Sequence, residues 1–147
     1  MSVTGSLDKP MLNRIRSIIL LAVLASGCEA TLPEHDPKMA WVEVQGRAGY
    51  SLSARRLNGI KVHDARYFQL EPGRHQLELR LGYERRGSSS RSQWRHCRVE
   101  FDYGDFAAGE RYSIFAVATG FTVRVWLRDG EGQRILESRS VRCGSQY

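Results

Sequence analysis

The segment Gln76-Leu-Glu-Leu-Arg-Leu81 alternates polar and leucine side chains without interruption. Because successive side chains of a strand point to opposite faces, this period of two predicts a β-strand whose three leucines enter a core. The segment 94–103 repeats the pattern, and one of its faces carries Cys97, Val99, Phe101 and Tyr103. The two segments therefore predict two half-buried strands, and no segment after residue 38 shows a sustained helical period.

Shorter strands are predicted on both sides of this pair, at 39–45, 48–54, 67–70, 111–118, 122–128 and 133–139. Turn residues separate them, namely Asn58-Gly59, Glu71-Pro-Gly-Arg74 and Asp129-Gly-Glu-Gly132. The segment 82–93, which is rich in Gly, Ser and Arg, is predicted to be a loop. About eight strands at regular spacing predict an all-β domain over 39–147, an antiparallel β-sandwich of immunoglobulin- or transthyretin-like class, or an open barrel.

The N-terminal segment has the three parts of a secretory signal. Arg14 and Arg16 form its positive start, an apolar stretch too short to span a bilayer follows, and small residues lead to Cys28. Residues 1–10 carry no signal feature, which makes Met11 a second candidate for the true start. An ordinary signal peptide with a chance cysteine is the alternative to a lipidation signal.

The run Leu24-Ala-Ser-Gly-Cys28 resembles a bacterial lipobox. The resemblance implies that residues 1–27 are a removed signal peptide and that Cys28 is acylated, with palmitate among its acyl chains, and anchors the protein in a membrane. By the same resemblance, Glu29 implies delivery to the outer membrane, facing the periplasm. Residues 28–38 contain Pro33 and Pro37, which deny the segment regular structure and predict a short tether.

Two cysteines remain once Cys28 carries lipid. An exported domain meets an oxidising compartment, so Cys97 and Cys143 are predicted to form a disulfide. Two buried free thiols are the alternative.

Arginine supplies nearly all the positive charge of the mature chain. The formal net charge is +6, and +4 remains after the export segment is removed. Because the guanidinium group fits phosphates and carboxylates, anionic envelope polymers are candidate partners, and a plainly solvated surface is the alternative. Acidic residues are interspersed throughout, which argues against a nucleic-acid partner.

The segment 41–83 resembles PEGA-type modules, which are small β-sandwich repeats of bacterial envelope proteins. The likeness rests on Val42-Glu-Val44, Asn58-Gly59, Leu70-Glu-Pro-Gly-Arg-His75, Leu77-Glu-Leu79 and Gly82-Tyr83. It implies a small proteobacterial outer-membrane lipoprotein with a PEGA-like β-sandwich, and it brings no catalytic residues.

The chain shows no arrangement of residues typical of catalysis or metal binding. Its four histidines are scattered, and no Gly-x-Ser-x-Gly elbow or phosphate-binding Gly loop occurs. We therefore predict no catalytic residue, no metal and no cofactor, and an enzyme is the least favoured class.

Two features are candidates for ligand binding. On the strand 122–128, Arg124, Trp126 and Arg128 share a face on which an exposed indole would stack on a sugar ring. The alternatives are a locally reversed face, or an indole packed beneath arginine side chains. The second feature is the basic loop with Arg85, Arg86 and Arg91, whose alternative is a plain hairpin connection.

Two hypotheses of function follow. The first is a non-enzymatic structural or accessory module that binds another envelope component, such as a protein, through its β surface or a sheet edge. The second is a binding module for anionic glycan or lipopolysaccharide.

Overall fold

Ten β-strands make up the domain in the computed structural model, which describes residues 31–86, 92–119 and 122–144. All of them lie in the unit Glu34–Tyr147. The strands are β1 (Ala40–Val44), β2 (Tyr50–Leu57), β3 (Ile60–Lys61), β4 (Tyr67–Leu70), β5 (Gly73–Arg86), β6 (Ser92–Phe106), β7 (Arg111–Thr119), β8 (Thr122–Arg128), β9 (Arg134–Glu137) and β10 (Ser140–Gly144). Within the described ranges, no helix is long and apolar enough to cross a membrane.

The strands form two five-stranded sheets. The first sheet has the order β4-β1-β7-β8-β9, and the second has the order β10-β6-β5-β2-β3. Every strand pair is antiparallel except β1 with β7, which run parallel from Trp41 beside Arg111 to Val44 beside Ile114. The all-β prediction is therefore confirmed, and the two mostly antiparallel sheets are consistent with a sandwich.

The core consists of the inner faces of the two sheets, as the alternating pattern predicted. Leu77, Leu79 and Leu81 of β5 have no exposed surface. The first sheet contributes further side chains that are fully buried or nearly so: Val42, Phe68, Leu70, Ile114, Val125 and Leu127. Burying a side chain of this size is worth roughly 1.5–3 kcal/mol, so this core is the main stabilising element of the domain.

The predicted turn residues adopt the conformations that their chemistry favours. Asn58 and Gly59, with φ of 51° and 82°, connect β2 to β3. Two positive φ angles in a two-residue hairpin loop are the reason for the Asn-Gly preference. Gly73 has a φ of 113°, as predicted for the Pro-Gly turn before β5.

The prediction of a loop over 82–93 is wrong for most of that segment. Strand β5 continues through Gly82 to Arg86, and β6 begins at Ser92. Within this strand, Ser51 and His96 approach Gly82 closely: an ideal Cβ at Gly82 would lie 2.5 Å and 3.3 Å from their side-chain atoms. A glycine in a strand that neighbouring groups approach closely marks tight packing rather than a turn.

The predicted last strand, 133–139, is present as the shorter strand β9, and a further strand that was not predicted, β10, follows it in the other sheet. Strand β9 pairs with β8, while β10 pairs with β6. Between them, the backbone N–H of Ser138 donates to Val125 and that of Arg139 donates to Glu100, so the chain changes sheets at this point. The unpredicted strand β10 is one reason that ten strands are observed where about eight were predicted.

Candidate functional site

The predicted disulfide between Cys97 and Cys143 is present. The two residues lie directly opposite each other in the β6–β10 pair, with their Cα atoms 4.0 Å apart. Cys97 belongs to the buried core and Cys143 is exposed. The bond therefore fixes an edge strand, β10, to the sheet and to the core.

Several residues of the predicted sites lie outside the described part of the chain. Cys28, the predicted lipid attachment site, and Arg91 of the predicted basic loop both fall outside the described ranges. Arg85 and Arg86 belong to β5, opposite Gln93 and Ser92 of β6, rather than to a loop. The placement of these two arginines in a loop is therefore wrong.

The prediction of an exposed indole at Trp126 is also wrong. Trp126 lies on the outer face of the first sheet, as the alternation requires, but only 9% of its surface is exposed. Phe115 of β7 stacks against it at a centroid distance of 5.1 Å, and the Arg134 guanidinium lies 4.4 Å from its ring centroid. The alternative of an indole packed beneath arginine side chains is the one observed, so the indole offers little surface to a sugar.

A cluster of two rings and two guanidinium groups, made of Phe115, Trp126, Arg128 and Arg134, covers this part of the first sheet; we call it the arginine–aromatic face. The Arg128 guanidinium carbon lies 3.5 Å from the Phe115 ring centroid, and that of Arg134 lies 5.6 Å from it. Cation–π contacts of this kind contribute about 0.5–1 kcal/mol at exposed sites and fix the position of the cation. The face thus holds two cations on an aromatic surface.

In the part of the chain that the structure describes, the two arginines of this face have no acidic partner. Among the described residues, neither Arg128 nor Arg134 makes an ion pair, and the Nε of Arg128 is buried without a hydrogen-bond partner. Glu137, which lies beside Trp126 in β9, is 3.5 Å from Arg124 instead. The predicted trio Arg124, Trp126 and Arg128 is therefore on one face, but Arg124 is neutralised and Trp126 is covered.

The outer face of the second sheet shows the opposite arrangement. Glu78 accepts hydrogen bonds from Arg56 at 2.9 Å and Arg98 at 2.7 Å. Glu100 is 3.1 Å from Arg98 and 3.6 Å from Arg142. Alternating arginine and glutamate side chains thus neutralise one another across four neighbouring strands.

A second group of ion pairs surrounds Asp102 on the same sheet. Arg74 donates two hydrogen bonds to the Asp102 carboxylate, at 2.9 Å and 2.8 Å, and Arg139 lies 3.6 Å from it. The hydrogen bond from Arg74 holds the pKa of Asp102 below its ordinary value. The carboxylate is therefore ionised at neutral pH and is a structural partner of both arginines.

A cleft of about 470 Å³ lies where β3 and β4 meet at the edges of the two sheets. Its apolar lining comes from Leu57, Ile60, Val62, Tyr67 and Phe68. Asp64 on its rim accepts hydrogen bonds from Arg66, and these hold its pKa below the ordinary value. Over the described ranges, no group of three or more His, Cys, Asp or Glu residues is placed to hold a metal ion.

Sequence reasoning missed Phe115 and Arg134 as members of the site. Phe115 lies on a strand with apolar residues on both faces, so its outward position carries no signal in the local pattern. Arg134 reaches Trp126 from β9, across a bulge between Leu127 and Arg128 that shifts the register. Only the pairing of three strands brings the four residues together.

Comparisons with protein-family models, with curated proteins and with solved structures gave no match for this chain.

Proposed function

We propose that this chain is a lipoprotein of the bacterial cell envelope whose β-sandwich is a non-enzymatic accessory module that binds another envelope component. In this proposal Cys28 carries the lipid and holds the domain at the outer membrane, facing the periplasm. The lipobox-like run supports the anchor, and the Cys97–Cys143 disulfide supports an oxidising compartment, where such bonds persist.

The observation that carries the binding role is the difference between the two outer faces. On the second sheet, ion pairs join several arginines to Glu78 and Glu100. Arg128 and Arg134 on the first sheet stand on aromatic rings instead, and no acid of the described residues pairs with them. Rigid rings with fixed, unneutralised cations are typical of binding surfaces, where aromatic residues and Arg are enriched. We infer that the module binds through its first sheet.

We also infer that the sandwich is PEGA-like and of immunoglobulin- or transthyretin-like class. The resemblance rests on turn residues, and the two turns that carry most of it have the expected backbone conformations at Asn58, Gly59 and Gly73. A PEGA-like module suits an accessory role because its likeness lies in architecture rather than in a catalytic site.

Binding of an anionic glycan or lipopolysaccharide is the second candidate function. The unpaired guanidinium groups of Arg128 and Arg134 favour it, because each presents donors that match phosphate or carboxylate oxygens. The covered indole of Trp126 removes sugar stacking from this candidate, so recognition depends on charge.

Metabolic labelling with palmitate and membrane fractionation test the anchor. The unsubstituted chain is expected to incorporate the label and to sediment with membranes, since two or three acyl chains give stable anchoring. Cys28→Ser should abolish the label and release the domain into the soluble periplasmic fraction. Cys143→Ala, the matched control, should keep the label, and continued labelling of Cys28→Ser would refute the anchor.

A further inference from the structure

We propose that Arg128 and Arg134 form a binding site for a phosphate group, on the platform made by Phe115 and Trp126. This site would serve the second candidate function, which is binding of an anionic glycan or lipopolysaccharide. The proposal rests on that function for the identity of the envelope molecule that carries the phosphate.

The backbone places the two arginines as direct neighbours. Arg128 of β8 is in register with Arg134 of β9, and both side chains lie on the outer face. Residues that are directly opposite in an antiparallel pair have Cβ atoms about 4.5–5.5 Å apart, within reach of one small anion. The rings beneath them fix both cations, with Arg128 over Phe115 at 3.5 Å and Arg134 over Trp126 at 4.4 Å.

Within the described ranges, no carboxylate balances the charge of this arginine pair. Like charges that are directly opposite across two strands destabilise a sheet. On the second sheet, Arg98 and Arg142 are in register in the same way, but Glu100 lies within 3.6 Å of both. Arg128 and Arg134 have no such acid among the described residues, and a bound anion would supply the missing negative charge.

A donor group also lacks its acceptor. The Nε of Arg128 is buried and has no hydrogen-bond partner among the described residues, and an unsatisfied buried donor costs about 1–3 kcal/mol. The Nε of Arg98 on the second sheet makes no hydrogen bond there either, but it lies 3.1 Å from the Glu100 carboxylate. A guanidinium that lies on a ring keeps its N–H edges directed sideways, where a ligand oxygen can accept from them. Oxygen atoms placed between the two arginines would accept from their terminal N–H groups, and a turn of the Arg128 side chain would bring its buried Nε–H to the same oxygens.

Phosphate fits this arrangement better than a carboxylate does. A phosphate monoester carries a charge of about −1.5 to −2 at pH 7 and has three strong acceptor oxygens. These match two guanidinium groups in charge and offer each a bidentate contact, whereas one carboxylate carries a single charge. The same chemistry occurs in lipid A headgroups and in free inorganic phosphate, and the test separates these two sources.

Nuclear magnetic resonance of the arginine Nε–Hε groups tests the site directly. The protein is purified as its cells make it, in a non-ionic detergent, and titrated with inorganic phosphate at constant ionic strength. We expect a saturable shift of the Arg128 Nε–Hε signal with phosphate and none with chloride. No shift, or the same shift with chloride, would overturn the proposal.

Three substitutions locate the binding. Arg128→Gln and Arg134→Gln should each weaken phosphate binding by roughly tenfold or more, because each removes charge-assisted hydrogen bonds. Arg142→Gln, which removes an exposed arginine from the second sheet, is the matched control and should change binding less than twofold. An equal loss of phosphate affinity in all three variants would mean that binding depends only on the net charge of the protein, and it would overturn the proposed site. Thermal unfolding checks each fold, and the titration of the unsubstituted chain decides the question without any variant.

Lipid A and its enzymatically dephosphorylated form separate the sources. Tighter binding of lipid A than of inorganic phosphate, with loss on dephosphorylation, identifies a headgroup as the natural ligand. Binding of inorganic phosphate alone identifies a free phosphate, and the site stands in both cases. Equal binding of both lipid forms without any phosphate response overturns the site, while palmitate labelling of Cys28 would still support the proposed function.

Discussion

At Gly82, a side chain on the outer face of the second sheet would meet the side chains of both neighbouring strands. An ideal Cβ would lie 2.5 Å from the Ser51 hydroxyl oxygen and 3.3 Å from His96 Nδ1. We expect Gly82→Ala to be less stable than Gly104→Ala by up to about 1 kcal/mol, because the Ser51 hydroxyl must rotate and the His96 ring must shift by a few tenths of an ångström. Gly104→Ala on β6 is the matched control, since nothing lies within 4 Å of its Cβ position. Urea unfolding measures both, and equal losses would contradict the packing explanation.

The ion pair between Arg74 and Asp102 makes the stability of the fold depend on pH in the acid range. A hydrogen bond from Arg74 lowers the pKa of Asp102 in the folded chain. The ion pair therefore stabilises the fold above the unfolded aspartate pKa of about 3.9, and this stabilisation is lost as the pH falls through the lower, folded pKa. Arg74→Gln should raise the Asp102 pKa toward the ordinary range.

Carboxyl carbon shifts in a pH titration measure this change. Arg56→Gln is the control, because Arg56 pairs with Glu78 and not with Asp102. If the pKa of Asp102 is the same in Arg74→Gln as in the unsubstituted chain, Arg74 does not cause the lowering of that pKa.

For Trp126, the local sequence pattern predicts the direction of the side chain but not the residues of other strands that cover it. Alternation correctly placed its side chain outside the core, because that depends only on the strand period. Its exposure was predicted wrongly because Phe115 and Arg134, which cover it, come from two other strands.

The disulfide is the clearest test among the elements. It links β6 to the edge strand β10 across a sequence separation of 46 residues. On the chain-entropy model, closing a loop of that length stabilises the fold by about 4 kcal/mol, because it restricts the unfolded chain. We expect Cys97→Ala/Cys143→Ala to lower the urea midpoint accordingly, and reduction of the natural disulfide to do the same.

The double variant also provides its own control. A reductant should leave the urea midpoint of Cys97→Ala/Cys143→Ala unchanged, because no bond remains to be reduced. Equal midpoints for the oxidised natural chain and the double variant would contradict a stabilising role of the bond.

Strands with strict alternation were predicted well, and the connections between strands were not. In the segments 76–81 and 94–103, the alternation of polar and apolar residues is enough to predict a strand, and the two residues Asn58-Gly59 are enough to predict a turn. The parallel pairing of β1 with β7 and the change of sheet after β9 depend on contacts between distant segments. Such contacts leave no local pattern, so the sequence predicted the class of the fold and not its topology.

For the molecule as a whole, the two outer faces have opposite characters. Ion pairs across the second sheet join Arg56, Arg98 and Arg142 to glutamates, whereas the two arginines of the arginine–aromatic face make no ion pair within the described ranges. The arginine-rich composition made anionic envelope polymers candidate partners, beside the alternative of a plainly solvated surface. The composition did not predict which outer face would bind an anion, because that depends on which arginines form ion pairs once the strands have paired.

Binding through the first sheet is the central claim, and photocrosslinking in living cells tests it most directly. A benzophenone amino acid would replace Val117, an exposed residue on the outer face of the first sheet, or Gln76, an exposed control on the second. We predict crosslinked envelope products from position 117 that Arg128→Gln/Arg134→Gln strongly reduces, and none from position 76. The same products from both positions, or from position 76 alone, would contradict the account.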